Sequence, residues 1–169
     1  MTFNNRELCV HSVHINSLTD RPQFARAVGT ACFEEWPEIA AIDFGLTCVD
    51  EFIDDLSNLS KVLVAHTDND EFVGTVSLRS TSDMPNHMPE LKNWIACLFV
   101  SKEYRKNGIG SRLVRCICDV AGEMGLSVLY LSSEESNVMF YKRLGWTEKT
   151  RVEYYGQTLT VMEICLSSS

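Results

Sequence analysis

No stretch of this chain is apolar for long enough to cross a bilayer. Its first residues, Met1-Thr2-Phe3-Asn4-Asn5-Arg6-Glu7, lack the basic and then apolar layout of a secretory leader. No Cys-x-x-Cys occurs, and the seven cysteines are odd in number and scattered, several of them inside apolar runs. That pattern argues against a disulfide framework or a zinc site and for free thiols packed as small core residues. The four histidines also miss metal-ligand spacing, so no metal is expected. A net charge of −8 is not that of a general nucleic-acid binder, which needs a basic face. Internal repeats are absent, and low complexity is confined to Ser167-Ser168-Ser169. The expectation is one cytoplasmic domain over 1–169, with neither nucleic acid nor membrane as partner.

What is present has the balance of a soluble globular protein, with 45% apolar and 22% charged residues, enough to bury a core at this length. The charges are unevenly placed. Eight acids stand between Glu34 and Asp55 with no Lys or Arg among them, whereas Lys102, Arg105, Lys106, Arg112 and Arg115 cluster. Two readings stay open: one region for cations and one for anions, or two solvated helix faces.

A first strand is expected over 7–15, then a helix capped by Thr19 or Asp20, with Pro22 in its first turn and an end before Pro37. Thr47-x-x-Asp50 resembles a capping box for a second helix. The period then changes to strands at 62–65 and 72–78 around Asp68-Asn69-Asp70. A polar loop leads to the apolar run Trp94–Val100. Leu113, Val114, Ile117, Cys118, Ala121 and Met124 mark one face of a helix beginning at Ser111 and ending at Gly125. A strand at 128–131, a helix from Asn137 to Leu144 and two strands flanking Gly156-Gln157 complete the order β-α-α-β-β-β-α-β-α-β-β. The class is α/β, a mixed sheet with helices on its faces.

Between the run ending at Val100 and that helix stands Arg105-Lys106-Asn107-Gly108-Ile109-Gly110. Glycines turn the backbone tightly, and a helix start adds free N–H donors and partial positive charge, so the loop suits phosphate oxygens. A Walker loop needs Gly-Lys-Ser/Thr, but Gly110 is followed by Ser111-Arg112. A dinucleotide fingerprint needs a third glycine where Leu113 stands. What remains, Arg-x-x-Gly-x-Gly between strand and helix, resembles the GNAT acyltransferases. The later segment Asn137-Val138-Met139-Phe140-Tyr141-Lys142-Arg143-Leu144-Gly145-Trp146 is similar to that family's Asn-x-x-x-Tyr-x-x-x-Gly-Phe/Trp.

The resemblance implies the acyl-CoA N-acyltransferase fold, a central twisted mixed sheet of about seven strands flanked by about four helices. It implies an N-acetyltransferase that moves acetyl from acetyl-CoA to a primary amine by direct attack in a ternary complex. By similarity, Cys97, Leu98, Phe99 and Val100 pair with the pantetheine arm. The backbone of Arg105, Lys106, Asn107, Gly108, Ile109, Gly110 and Ser111 holds the pyrophosphate. Asn137 contacts pantetheine or merely caps its helix. Tyr141, one turn on, is either the proton donor to the departing thiolate or a core tyrosine. A phenol near pKa ~10 is protonated at neutral pH, which suits the first role. The oxyanion donor is expected at the N–H of Leu98 or Phe99. Glu34, Glu35, Glu90, Glu134 and a water relay remain open as the base. The acidic stretch favours a small cationic amine as acceptor, and Trp36, Trp94, Tyr154 and Tyr155 are candidates to line its cleft. Protein or peptide acetylation and a non-catalytic acetyl-CoA-binding module are the alternatives, and a homodimer is compatible with the family.

Overall fold

The computed structural model describes residues 12–167. Seven strands, β1 (Val13–Ser17), β2 (Lys61–Thr67), β3 (Phe72–Arg79), β4 (Trp94–Val100), β5 (Val128–Ser133), β6 (Thr147–Tyr154) and β7 (Gln157–Cys165), form one sheet. Their order is β1-β2-β3-β4-β5-β7-β6. Every neighbouring pair is antiparallel except β4 and β5. The strand expected over 7–15 is described only from residue 12 onward, and His11 and Cys9 lie outside the described residues.

Five α-helices cover the sheet: α1 (Ala25–Glu35), α2 (Pro37–Phe44), α3 (Val49–Asp55), α4 (Ile109–Glu123) and α5 (Glu135–Lys142). The sequence pattern supplies four, because Pro37 reads as a stop. It is instead the first residue of α2, where its missing N–H has no intrahelical acceptor to lose. Gly45 closes α2 at φ 68°, its N–H on the Ala41 carbonyl and that of Leu46 on Ala40.

Capping differs in detail from expectation. No side chain of Thr19 or Asp20 caps the start of the first helical segment, which opens with a 3-10 turn at Pro22. Thr47 pairs with Glu51, not Asp50: its N–H and hydroxyl donate to Glu51 Oε2 at 2.6 and 2.9 Å, while Asp50 pairs with Arg26. The last hairpin turns on Tyr155-Gly156, both at positive φ (46° and 86°), one residue earlier than Gly156-Gln157.

Burial divides the interior into three clusters. The largest lies where α4 sets Leu113, Val114, Ile117 and Ala121 on the sheet, with Val138 and Trp146 from the α5 region. Met124, expected on that face, is largely exposed. A second joins Phe24, Val28, Cys32 and Phe52 of the α1–α3 side to β2, and a third holds Met84, Trp94 and Tyr154.

Candidate active site

Strands β4 and β5 meet at one register pair, Trp94 with Tyr130, and then separate. The cause lies in β4. Against β3 its ladder runs Phe99 to Thr75 and Ala96 to Ser77, so β4 carries one residue more than its partner over that interval. Cys97 takes up the excess at φ 54°, a left-handed conformation that non-glycine residues adopt only when the surroundings hold them. Cys97 and Leu98 therefore have no partner in the ladder. Gly74 permits this arrangement: a Cβ there would stand 2.5 Å from the Phe99 carbonyl.

The gap below the parting strands is a cleft of about 610 Å³. Leu98, Phe99 and Val100 form one wall; Arg105, Lys106, Gly108, Ile109, Gly110 and Ser111 form its floor; Asn137 and Tyr141 close the far side. All the residues expected at the coenzyme are thus together except two. Cys97 lines a second cavity instead, because the bulge sets it apart from the residues that follow. Asn107 does not line the cleft; its amide donates to the carbonyls of Tyr104 and Arg105 at 3.3 and 3.1 Å and stitches the loop from within.

Lys106 and Gly108 both stand at positive φ (63° and 75°), so the loop needs a glycine at one of two left-handed turns and strains a lysine at the other. No side chain caps the start of α4, which leaves the N–H groups of its first turn to face the cleft. Arg105 folds back: its Nε donates to the Val100 carbonyl at 2.8 Å and its guanidinium lies 5.8 Å from the Phe99 ring centre. Arg112 donates to the Val13 carbonyl at 2.9 Å, so the basic cluster is shared between the loop and β1.

Asn137 sits inside the first turn of α5, with Glu134 as the capping position; the N-cap role expected for Asn137 does not apply. Tyr141 packs edge-on to Phe140 and Trp146, and burial pushes its hydroxyl up to about 12. It is protonated throughout the working range of most enzymes. Of the four candidate bases, Glu35 and Glu134 line the cleft, while Glu34 and Glu90 are exposed and line neither cavity.

The second cavity, about 150 Å³, adjoins the cleft, and Trp36, Leu98 and Tyr141 line both. Its walls are chiefly apolar, from Ile39, Phe44, Phe52, Ile95 and Leu131. It also holds an acid that the sequence pattern missed. Asp83 lines it beside Arg79, whose Nε is 3.7 Å from the Asp83 carboxylate and whose Nη2 is 3.4 Å from that of Asp55. The Arg79 guanidinium also lies over Phe44 at 4.3 Å. Burial raises the Asp83 carboxyl to about 7; Arg79 opposes the rise and Asp43 adds to it. Asp83 lies in a loop without periodicity. Its only signal is Arg79-x-x-x-Asp83 running out of a strand into a loop whose Met84 is buried.

The acids between 34 and 55 do not line this cavity. Asp43 accepts from the hydroxyls of Tyr154 and Tyr155 (the latter at 2.7 Å) and from the Asn86 amide at 2.8 Å, and so ties the β6–β7 hairpin to α2 and to the β3–β4 loop. Trp36 lines the cavity as expected. Trp94 and Tyr154 are core residues, and Tyr155 is half exposed.

Comparison with known proteins agrees with this geometry. Residues 25–146 match the acetyltransferase (GNAT) family. The chain belongs to the GNAT acetyltransferase family. A 91-residue stretch is 33% identical to N-alpha-acetyltransferase 30 of Schizosaccharomyces pombe and covers 52% of this chain and 59% of that protein. The fold is shared with an aminoglycoside 6'-N-acetyltransferase complexed with coenzyme A (TM-score 0.70, 17% identity, 91% of this chain and 97% of the other). It is also shared with the spermidine N-acetyltransferase of Vibrio cholerae in complex with coenzyme A and spermine (TM-score 0.69, 16% identity, 94% and 98%).

The GNAT chain's cleft fits a coenzyme A cosubstrate on its own features. A Cβ added at Gly110 would find only ordinary contacts, Phe140 at 3.6 Å and Val100 at 3.9 Å, so nothing inside the protein requires a glycine there. A bare backbone at this position is what close approach to a phosphate group would need. Among the described residues, no group of acids, histidines and cysteines is placed to hold a metal ion, and no helix is long and apolar enough to cross a membrane.

Proposed function

We propose that this enzyme transfers the acetyl group of acetyl-CoA to a small primary amine in the 150 Å³ cavity, with Tyr141 donating a hydrogen bond to the leaving sulfur. One observation carries the reading: Tyr141 and Leu98 line both the donor cleft and the second cavity, so they flank the passage where the two substrates must meet. Acetyl-CoA supplies the activated thioester. The first turn of α4 and the backbone of Lys106–Ser111 hold its pyrophosphate, and Leu98–Val100 and Asn137 hold the pantetheine arm.

Leu98 has no ladder partner, which favours its N–H over that of Phe99 as the donor to the carbonyl oxygen. Tyr141 keeps its proton at every pH near neutrality and offers a hydrogen bond to the leaving sulfur. A pKa of about 12 makes complete transfer uphill against a thiol of ~8.5, so its role is a bond that strengthens as charge grows on sulfur.

A second reading, acetylation of a peptide α-amino group, draws on the likeness to the fission-yeast relative. The Asp43 latch weighs against it, since it ties the hairpin across two walls that also form the cavity.

Thiol release from acetyl-CoA tests the reading. With a competent amine, Tyr141→Phe should lower kcat about 10²-fold and leave acetyl-CoA affinity within about twofold. Turnover equal to wild type at saturating substrates would remove Tyr141 from the chemistry.

A further inference from the structure

The acceptor cavity contains one carboxylate, one guanidinium and a largely hydrocarbon wall. We propose that the acceptor is a compact primary amine with a single ammonium group and an apolar or aromatic body, that Asp83 receives its ammonium, and that Asp83 takes the proton the nitrogen must lose. This rests on the acetyltransferase reading above and narrows it.

A polycation needs carboxylates spaced along its length. Here none of the acids of residues 34–55 lines the cavity: Glu35 lines the adjoining cleft, Asp43 is held by two tyrosines and Asn86, Asp50 by Arg26, Glu51 by Thr47, and Asp55 by Arg79. Beyond the first ammonium, further charges would face Arg79 or the side chains of Phe44, Phe52, Ile95 and Leu131. An aromatic or aliphatic body meets a matching surface there, with Trp36 at the passage to the donor cleft. The cavity has about a quarter of the donor cleft's volume, which sets the scale of the body.

Asp83 is suited to exchange a proton. Burial raises its carboxyl to about 7, which lets it change protonation state near neutral pH. The charged and titratable groups around it are Arg79, which with Asp55 forms the adjoining ion pairs, Asp43 with its tyrosines, and the Cys97 thiol on the β4 wall. Tyr141 faces the same cavity from α5, and its hydroxyl stays neutral. The overall change balances: a C–S bond breaks, a C–N bond forms, and the ammonium loses two protons, one to the sulfur and one through Asp83 to water.

The test uses the full chain, saturating acetyl-CoA and a panel of phenethylamine, butylamine, spermidine, an aminoglycoside and a peptide with a free α-amino group. Phenethylamine or butylamine should exceed spermidine in kcat/KM by about 10²-fold. Asp83→Asn should lower that value about 10²-fold, abolish its rise through pH 7 and leave acetyl-CoA binding unchanged. Preference for spermidine or the aminoglycoside would overturn the inference while leaving the small-amine transferase reading intact; preference for the peptide would overturn both in favour of peptide acetylation. Thiol release from none of the acceptors, with acetyl-CoA still bound, would overturn both. Wild-type activity and an unchanged pH profile in Asp83→Asn would overturn the role of Asp83.

Discussion

An ionised Asp83 destabilises the folded chain, because burial penalises its charge by more than Arg79 recovers. Its folded pKa of about 7 lies above the ordinary carboxyl value of 3.8. Below both values the group is neutral in either state and has no effect. Between them the folded state binds the extra proton, so stability falls as pH rises through that window. Above 7 the full penalty applies, about 4 kcal/mol for a shift of about three units. Asp83→Asn should therefore raise Tm by several degrees at pH 8 and leave it almost unchanged at pH 4. Thermal unfolding across that range checks this, and an equal Tm at pH 8 would contradict it. Such a residue is hard to read in sequence. The residues that line the larger cleft were legible because glycines, a helix start and a tyrosine at fixed spacing are local features. Asp83 acquires its chemistry from walls contributed by α2, α3, β4 and β5, of which only β4 neighbours its loop in the chain.

At the scale of elements, the decisive irregularity is the extra residue in β4, and Gly74 on β3 is what admits it. Gly74→Ala should push β4 from β3, because the carbonyl it would strike is backbone and has no rotamer to escape into. A loss of about 1–3 kcal/mol is expected by denaturant unfolding, with weakened acetyl-CoA binding measured by calorimetry. Unchanged stability and affinity would show that the bulge tolerates a methyl group. The first strand, expected over 7–15, falls mostly outside the described residues, and β1 runs Val13–Ser17. Strands β2 to β7 were readable from apolar runs and turn residues, which are properties of adjacent positions. The bulge was not, because a strand keeps the same apolar letters whether or not it slips one residue against its neighbour. Helix α2 was missed for a related reason: Pro37 marks a boundary in either direction, and only the packing of Ala40 beside Phe24 and Val28 decides that a helix begins there.

In the molecule as a whole, the larger cleft stands on the cluster under α4, while the smaller cavity draws its walls from the α1–α3 cluster, from β4 and β5 and from the loop around Met84. These cores open with different free energies. Amides of α2 and α3 should exchange with solvent at least about tenfold faster than those of Leu113 and Ile117, measured by native-state hydrogen exchange; uniform protection would contradict this. The sheet's β6 edge is guarded by Glu148, Lys149, Arg151 and Glu153, whose charges oppose pairing with another strand. The Asp43 latch joins the hairpin to two walls of the smaller cavity without touching the glycine loop. Inheritance can therefore act on the two halves separately. If the second cavity takes the acceptor as proposed, substitutions in the hairpin, in α2 or in the loop after β3 would change which amine is accepted over many generations while the grip on the acetyl donor passes on unaltered.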